Sequence, residues 1–174
     1  ADSGEDKIAF STSGDYAANL EMVPNVPPTD VCPKPSSELQ KVKTPGQYTI
    51  DDIAVFLGVP SAHCMKTLVV EAADNGLVAL VLRGDHELNV IKAQRHPAIA
   101  KPLRFANAEK IKEAIGCSPG SLGPVDLPFP IVADTDALAV SDFVCGANEE
   151  DMHLTGVNWG RDLKEPASAD LRNA

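Results

Sequence analysis

Apolar and polar positions recur along this chain with two periods, and the switches between them mark out its elements. From Thr49 onward Ile50, Ile53, Ala54 and Leu57 fall on one face at helical spacing. Thr49 is placed to cap that helix, Asp52 completes a capping-box-like pattern, and Gly58 followed by Pro60 stops it. Lys66 to Val70 reads as a strand, with Leu77 to Arg83 as its hairpin partner across Asp74-Asn75-Gly76. Gly84-Asp85 ends that strand and predicts a helix capped by Asp85, with Leu88, Ile91 and Lys92 following. Leu103 to Phe105 is a short strand, and Asn107 caps a helix through Ile111 and Ile115 that Gly116 terminates. Phe129 to Ala133, Leu138 to Val140, Phe143-Val144 and Met152 to Val157 make the second half rich in strands.

Helices and hairpins alternate here without a regular βαβ repeat. The fold class expected is therefore α+β, a mixed, largely antiparallel barrel-like sheet surrounded by helices. Three segments are expected: a flank or linker over residues 1–40, the globular part over 41–162, and a frayed tail over 163–174. Five prolines between Pro24 and Pro35 favour an extended path through the first of these, and its opening residues are expected to be mobile.

At 174 residues, 44% hydrophobic and 23% charged, the chain has the make-up of one soluble domain with a real core. No apolar run reaches the length of a membrane span. Four cysteines without CxxC spacing point to reduced, mostly buried thiols. The net charge of −10 argues against a generic nucleic-acid binder, because phosphate contacts normally leave a basic footprint. The charge is uneven, however. Residues 66–115 hold eight Lys/Arg against six Asp/Glu, which leaves a basic middle that could face a phosphate backbone.

Chemistry is concentrated between Ile115 and Asp134, where Gly116, Gly120 and Gly123 alternate with Pro119 and Pro124. Such a loop can present backbone amides to an oxyanion or a carbonyl, but it can also be a plain tight turn, and composition alone does not decide between them. Lys66 lies in an apolar context, so its ammonium needs an anionic neighbour or ligand unless it turns to solvent. Asp134 at a strand end can be a simple turn cap, and His153 in Met152-His153-Leu154 a satisfied, partly buried histidine. His63 and Cys64 are neighbours on an extended chain and point oppositely, so a metal site is not expected. Neither Ser121 nor Cys145 has the partners of a nucleophile, and no GxSxG, P-loop or dinucleotide fingerprint is present.

Gly120-Ser121-Leu122-Gly123-Pro124 resembles the GxxxP loop of the YbaK-type aminoacyl-tRNA deacylases. Other ordered stretches resemble the insertion (editing) domain of bacterial prolyl-tRNA synthetase: Val42 to Gly46 with Thr49-Ile50, Met65 to Leu68, Arg83 to Asn89, Phe143 to Asn148 and Val157 to Asp162. The resemblance implies hydrolysis of the ester of mischarged Ala-tRNA(Pro). In that reading Lys66 holds a phosphate of the tRNA 3′ end and the amides of Gly120, Ser121, Leu122, Gly123 and Pro124's loop bind the carbonyl. Asp134 meets the amino group or orders water, and His153 contacts the aminoacyl moiety. Thr44, Ile50 and Ile53 line a small side-chain pocket, with Gly146, Ala147 and Asn148 beside it.

The same resemblance implies no cofactor and no metal for editing, since ATP and Mg belong to the synthetase core. It implies as partners the alanine-bearing 3′ end of tRNA(Pro) and the rest of a homodimeric synthetase, in the cytoplasm and away from any membrane. Two rivals stand beside it: a free-standing deacylase acting on Ala- or Cys-tRNA(Pro) in trans, and a non-catalytic tRNA- or protein-binding module.

Overall fold

The structure, a computed structural model, describes residues 8–10, 17–19, 23–28 and 32–174. Its centre is a four-stranded sheet in the order β4-β5-β6-β9, formed by β4 (Met65–Glu71), β5 (Leu77–Arg83), β6 (Ile131–Asp134) and β9 (Ala167–Ala169). β4 and β5 are the expected hairpin, in register from Met65 opposite Arg83 to Glu71 opposite Leu77. β5 pairs with β6, and β6 with β9, in parallel. A three-stranded antiparallel sheet, β3-β8-β7, lies beside it, built from β3 (Gln40–Lys43), β7 (Phe143–Gly146) and β8 (Met152–Val157). A bridge between Cys64 and Val144 joins the two sheets.

The apolar run of β5 follows from its position. Val78, Ala79, Leu80, Val81 and Leu82 are all buried, because both faces of this central strand are covered. One face meets the core shared with the second sheet, around Met65, Val81, Phe143 and Val157. The other packs Leu80 and Leu82 with Val70, Val132 and Leu171.

The helices begin and end where their caps require. Thr49 accepts the Asp52 amide at the start of α1 (Ile50–Leu57), and Gly58 closes it in the left-handed conformation. Asn107 accepts the Lys110 amide at the start of α3 (Ala108–Ile115), and Gly116 ends it the same way. α1 places Ile53 against Cys64 and Val144, while α3 places Ile111 against Val69 and Leu122.

Several expectations are corrected. The fold is α+β with mixed, largely antiparallel sheets as expected, but among the described residues the sheets do not close into a barrel; they remain separate and bridged. The helix expected from Asp85 is the short α2 (Val90–Ala93), capped by Asn89, because the Asp85 carboxylate is taken by Arg83 at 2.6 Å. Leu103 to Phe105 makes only a single bridge, Phe105 to Val70. The strand expected over Leu138 to Val140 is a 3₁₀ turn over Ala137–Ala139. Residues 163–174 are no frayed tail, since β9 extends the main sheet and Leu171 is fully buried. Within the expected flank, β1 (Ile8–Phe10) pairs antiparallel with β2 (Ala17–Asn19). Residues 23–28 and 32–36 are irregular, and the mobility expected of residues 1–7, 11–16, 20–22 and 29–31 lies outside the described residues.

β4 is an edge strand, and its outer edge is covered only at one end. The carbonyl of Val69 accepts the Ala106 amide at 2.9 Å, and Glu71 donates its amide to Arg104 at 2.8 Å. Main-chain groups alternate sides along a strand, so Thr67 turns its N–H and C=O the same way as Val69 and Glu71. Among the described residues no strand pairs with it there.

Candidate active site

A cavity of about 240 Å³ opens where that uncovered edge faces α1, β7 and the loop after α3. Its lining brings together Tyr48, Ile50 and Ile53 from the start of α1, Lys66 and Thr67 from β4, and Gly120 and Leu122 from the loop. Gly146 of β7 and His153 of β8 complete it. Residues from five separate stretches of sequence thus meet at one hollow.

The loop is held against β7 by backbone contact. A Cβ on Gly123 would stand 1.8 Å from the Gly146 carbonyl oxygen, and one on Gly146 would stand 2.3 Å from that of Leu122. Asn148 fastens the same junction from outside: its side-chain oxygen accepts the Gly123 amide at 2.8 Å and its Nδ2 donates to the Val125 carbonyl at 2.8 Å. Its own amide donates to the Ser121 carbonyl at 2.9 Å. Most of the loop's donors are therefore spent internally. Ser121 donates to Ser118, Leu122 to Pro119 and Gly123 to Asn148, and Pro124 has no N–H. Among the described residues the Gly120 amide makes no hydrogen bond, and Gly120 lines the cavity.

Lys66 is mostly buried, and its ammonium donates to the His86 carbonyl at 2.7 Å and to a Glu87 carboxylate oxygen at 3.2 Å. An ammonium carries three N–H groups, so one remains for a ligand. His153 Nδ1 lies 2.6 Å from the Thr44 hydroxyl, and burial holds its imidazole below the usual range. Thr44 is fully buried and acts on the cavity only through His153. Among the described residues the Thr67 hydroxyl is buried without a hydrogen-bond partner, as is that of Ser121. Neither signal was readable from a linear chain. Tyr48 is another wall residue that sequence reasoning missed; its hydroxyl donates to Asp151 at 2.7 Å, and its Cβ abuts the backbone of Gly120.

Asp134 is not in the cavity. Its carboxylate accepts the amides of Leu171 at 2.8 Å and Asp136 at 3.1 Å, and burial pushes its pKa up against those bonds. Those bonds hold the carboxylate away from the cavity, so it does not stand where the resemblance implied contact with an amino group. Gly123, Ala147 and Asn148 likewise support the wall without lining it, and the Ser121 side chain and Pro124 are also outside the lining. His86, Asp134 and Asp136 bring ligand-type atoms within 4.8 Å of one another. Arg172 already pairs with Asp136, and Arg83 reaches His86 Nε2 at 2.9 Å, so a cation there would meet two guanidinium groups.

The cavity, its lysine and its glycine loop all fall within one stretch of the chain that matches a known family. The chain belongs to the aminoacyl-tRNA editing domain family, whose profile matches residues 44–163. Among solved structures it resembles a candidate trans-editing enzyme for prolyl-tRNA synthetase, at 24% identity over 78% of this chain and 87% of that one, with a TM-score of 0.67. It also resembles a protein described only as hypothetical, at 27% identity over 78% of this chain and 92% of that one, with a TM-score of 0.65. No helix among the described residues is long and apolar enough to cross a membrane.

Proposed function

We propose that this chain is an aminoacyl-tRNA deacylase that hydrolyses the ester of mischarged Ala-tRNA(Pro). The observation that carries the reading is the meeting of Lys66, the unpaired Gly120 amide and His153 on one cavity. A proline-activating site discriminates against the smaller alanine by only about 1–3 kcal/mol per missing methylene, so a second site is needed to remove the error. Ile50 and Ile53 restrict the space for the amino-acid side chain. The third N–H of Lys66 takes a phosphate oxygen of the terminal nucleotide and thereby fixes the ester. The Gly120 N–H stabilises the developing oxyanion, in place of the ring of amides expected from the loop. Water is activated by a ribose hydroxyl of the tRNA, with neutral His153 contacting the aminoacyl group.

The domain works where translation runs, in the cytoplasm, and with a charge of −10 it grips the rest of the tRNA weakly by itself. As an insertion in a homodimeric prolyl-tRNA synthetase it relies on the synthetase for that grip. A second reading, a free-standing deacylase, is supported by the match that spans 87% of the candidate trans-editing enzyme. The reading frame on either side of these residues decides between the two. Deacylation of Ala-, Cys- and Pro-tRNA(Pro) tests the activity. Alanine is expected to be released fastest and proline spared, with Lys66→Ala slower by about 100-fold. Equal rates for alanine and proline, or an unchanged Lys66→Ala, refute it.

A further inference from the structure

We infer that the C-terminal segment, residues 167–173, completes the site by fixing the loop that holds Lys66, with Asp134 and Arg172 as its positioning residues. The inference rests on the role proposed above for Lys66. The two groups that receive its ammonium, the His86 carbonyl and the Glu87 carboxylate, sit between β5 and α2, in a stretch without regular structure. That stretch is tied from outside. Asn89 donates its amide to the Leu171 carbonyl at 2.7 Å, Asn173 donates to the Glu87 carbonyl at 3.0 Å, and Leu88 bridges Arg172. The last residues of the chain thus run antiparallel to residues 87–89 as a short strap.

The strap is itself anchored at several points. β9 pairs with β6 so that Ala169 stands opposite Asp134, and the Asp134 carboxylate takes the Leu171 amide at 2.8 Å. Arg172 pairs with the Asp136 carboxylate, and Lys92 donates to the Arg172 carbonyl at 3.0 Å. The buried Leu171 side chain seats the strap among Leu80, Leu82 and Val132. A lysine side chain is long and loses much rotamer freedom when it is held, so its position is only as definite as that of its acceptors. The path runs from Asp134 and Asp136 to Leu171 and Arg172, then to Glu87 and Asn89, and from there to Lys66. Every one of the strap's residues lies outside the family match, which ends at residue 163.

The test compares Arg172→Ala, Arg172→Lys, Lys66→Ala and the Lys66→Ala/Arg172→Ala double variant in the full chain. Asn173→Pro, which removes the donor to Glu87 at an exposed residue, serves should Arg172→Ala fail to fold. Arg172→Ala is expected to lower kcat/KM on Ala-tRNA(Pro) about tenfold, and Arg172→Lys to restore most of it. In the Lys66→Ala background the Arg172 change should cost nothing further, whereas a general structural defect would cost the same in both backgrounds. A second arm needs no hydrolysis: trace acetylation of lysines, read by mass spectrometry, should label Lys66 faster in Arg172→Ala and Asn173→Pro than in the unaltered chain. Additive losses, or unchanged Lys66 labelling, overturn the strap. Absence of any hydrolysis by the unaltered chain would refute the deacylase reading, while the labelling still decides the strap.

Discussion

Replacing Gly123 by alanine puts the contact between the loop and β7 under direct test. The added Cβ would lie 1.8 Å from the Gly146 oxygen, 2.8 Å from its carbonyl carbon and 3.3 Å from the Cys145 sulfur. Ordinary contact begins at 3.4 Å, so the two backbones must part by the difference, 3.4 − 1.8 = 1.6 Å. Neither can do so freely. Gly146 sits in a fully buried strand, and the loop side is fixed by Leu122 in its apolar cluster and by Asn148 on the Gly123 amide. Overpacking of this kind costs about 3 kcal/mol or more. In a chain of this size that lowers Tm by about 6–12 °C. Gly116→Ala is the control: its φ of +95° is unfavourable for alanine, yet nothing lies within 4 Å of the new Cβ. It should cost about 1 kcal/mol and leave deacylation nearly intact. Thermal melts followed by circular dichroism, paired with Ala-tRNA(Pro) hydrolysis, measure both. If Gly123→Ala melts with the unaltered chain and keeps its activity, the wall of the cavity is not built as described.

Three further outcomes are expected. Asn148→Ala removes bonds to Gly123 and Val125, and should lower stability by about 1–3 kcal/mol in urea unfolding while slowing hydrolysis through a loosened loop. Thr67→Val replaces a buried, unpaired hydroxyl by a methyl of similar shape and should raise stability by about 1 kcal/mol; a lower Tm would mean that the hydroxyl has a partner. His86 and His153 are both held below the ordinary imidazole range by burial, His86 also by Arg83, so the unfolded chain takes up their protons more readily. Their stabilising contribution is full above about pH 6.5 and is lost as pH falls below it. Asp134, shifted upward, has the opposite sign and adds nothing to that loss. The urea midpoint should therefore drop between pH 7.5 and 5, and less steeply in His153→Gln; a flat midpoint would refute the assignment.

Elements whose signals are local were legible in the sequence. The caps at Thr49, Asn107, Gly58 and Gly116 are each set by a few neighbouring atoms, and the β4–β5 hairpin by its turn and its two apolar runs. Helix α2 was misplaced because Asp85 and Asn89 are both good caps. The choice was made by Arg83, whose pairing with Asp85 leaves the capping to Asn89. The end of the chain was misread because Leu-Lys-Glu-Pro-Ala-Ser-Ala carries no strand alternation. Its pairing to β6 comes from a parallel partner more than thirty residues away, and from Leu171 finding a core. At the site, Lys66, Gly120, Ile50, Ile53, Gly146 and His153 came together on the lining of one cavity. Asp134 did not, because a carboxylate at a strand end serves whichever amides are nearest, and those belong to Asp136 and a residue 37 positions on. No linear pattern marks that partner.

On the function proposed, the half-covered edge of β4 puts peptide backbone, and not side chains alone, on the wall that the ester faces. Replacing side chains one at a time leaves that stretch of wall intact, so an alanine scan would underrate it. Chains sharing only a quarter of their residues with this one can present the same donor and acceptor, provided a strand edge stays open at the position of Thr67. An amide-to-ester exchange in the backbone there, which deletes a single N–H and keeps every side chain, is the substitution that would make it visible.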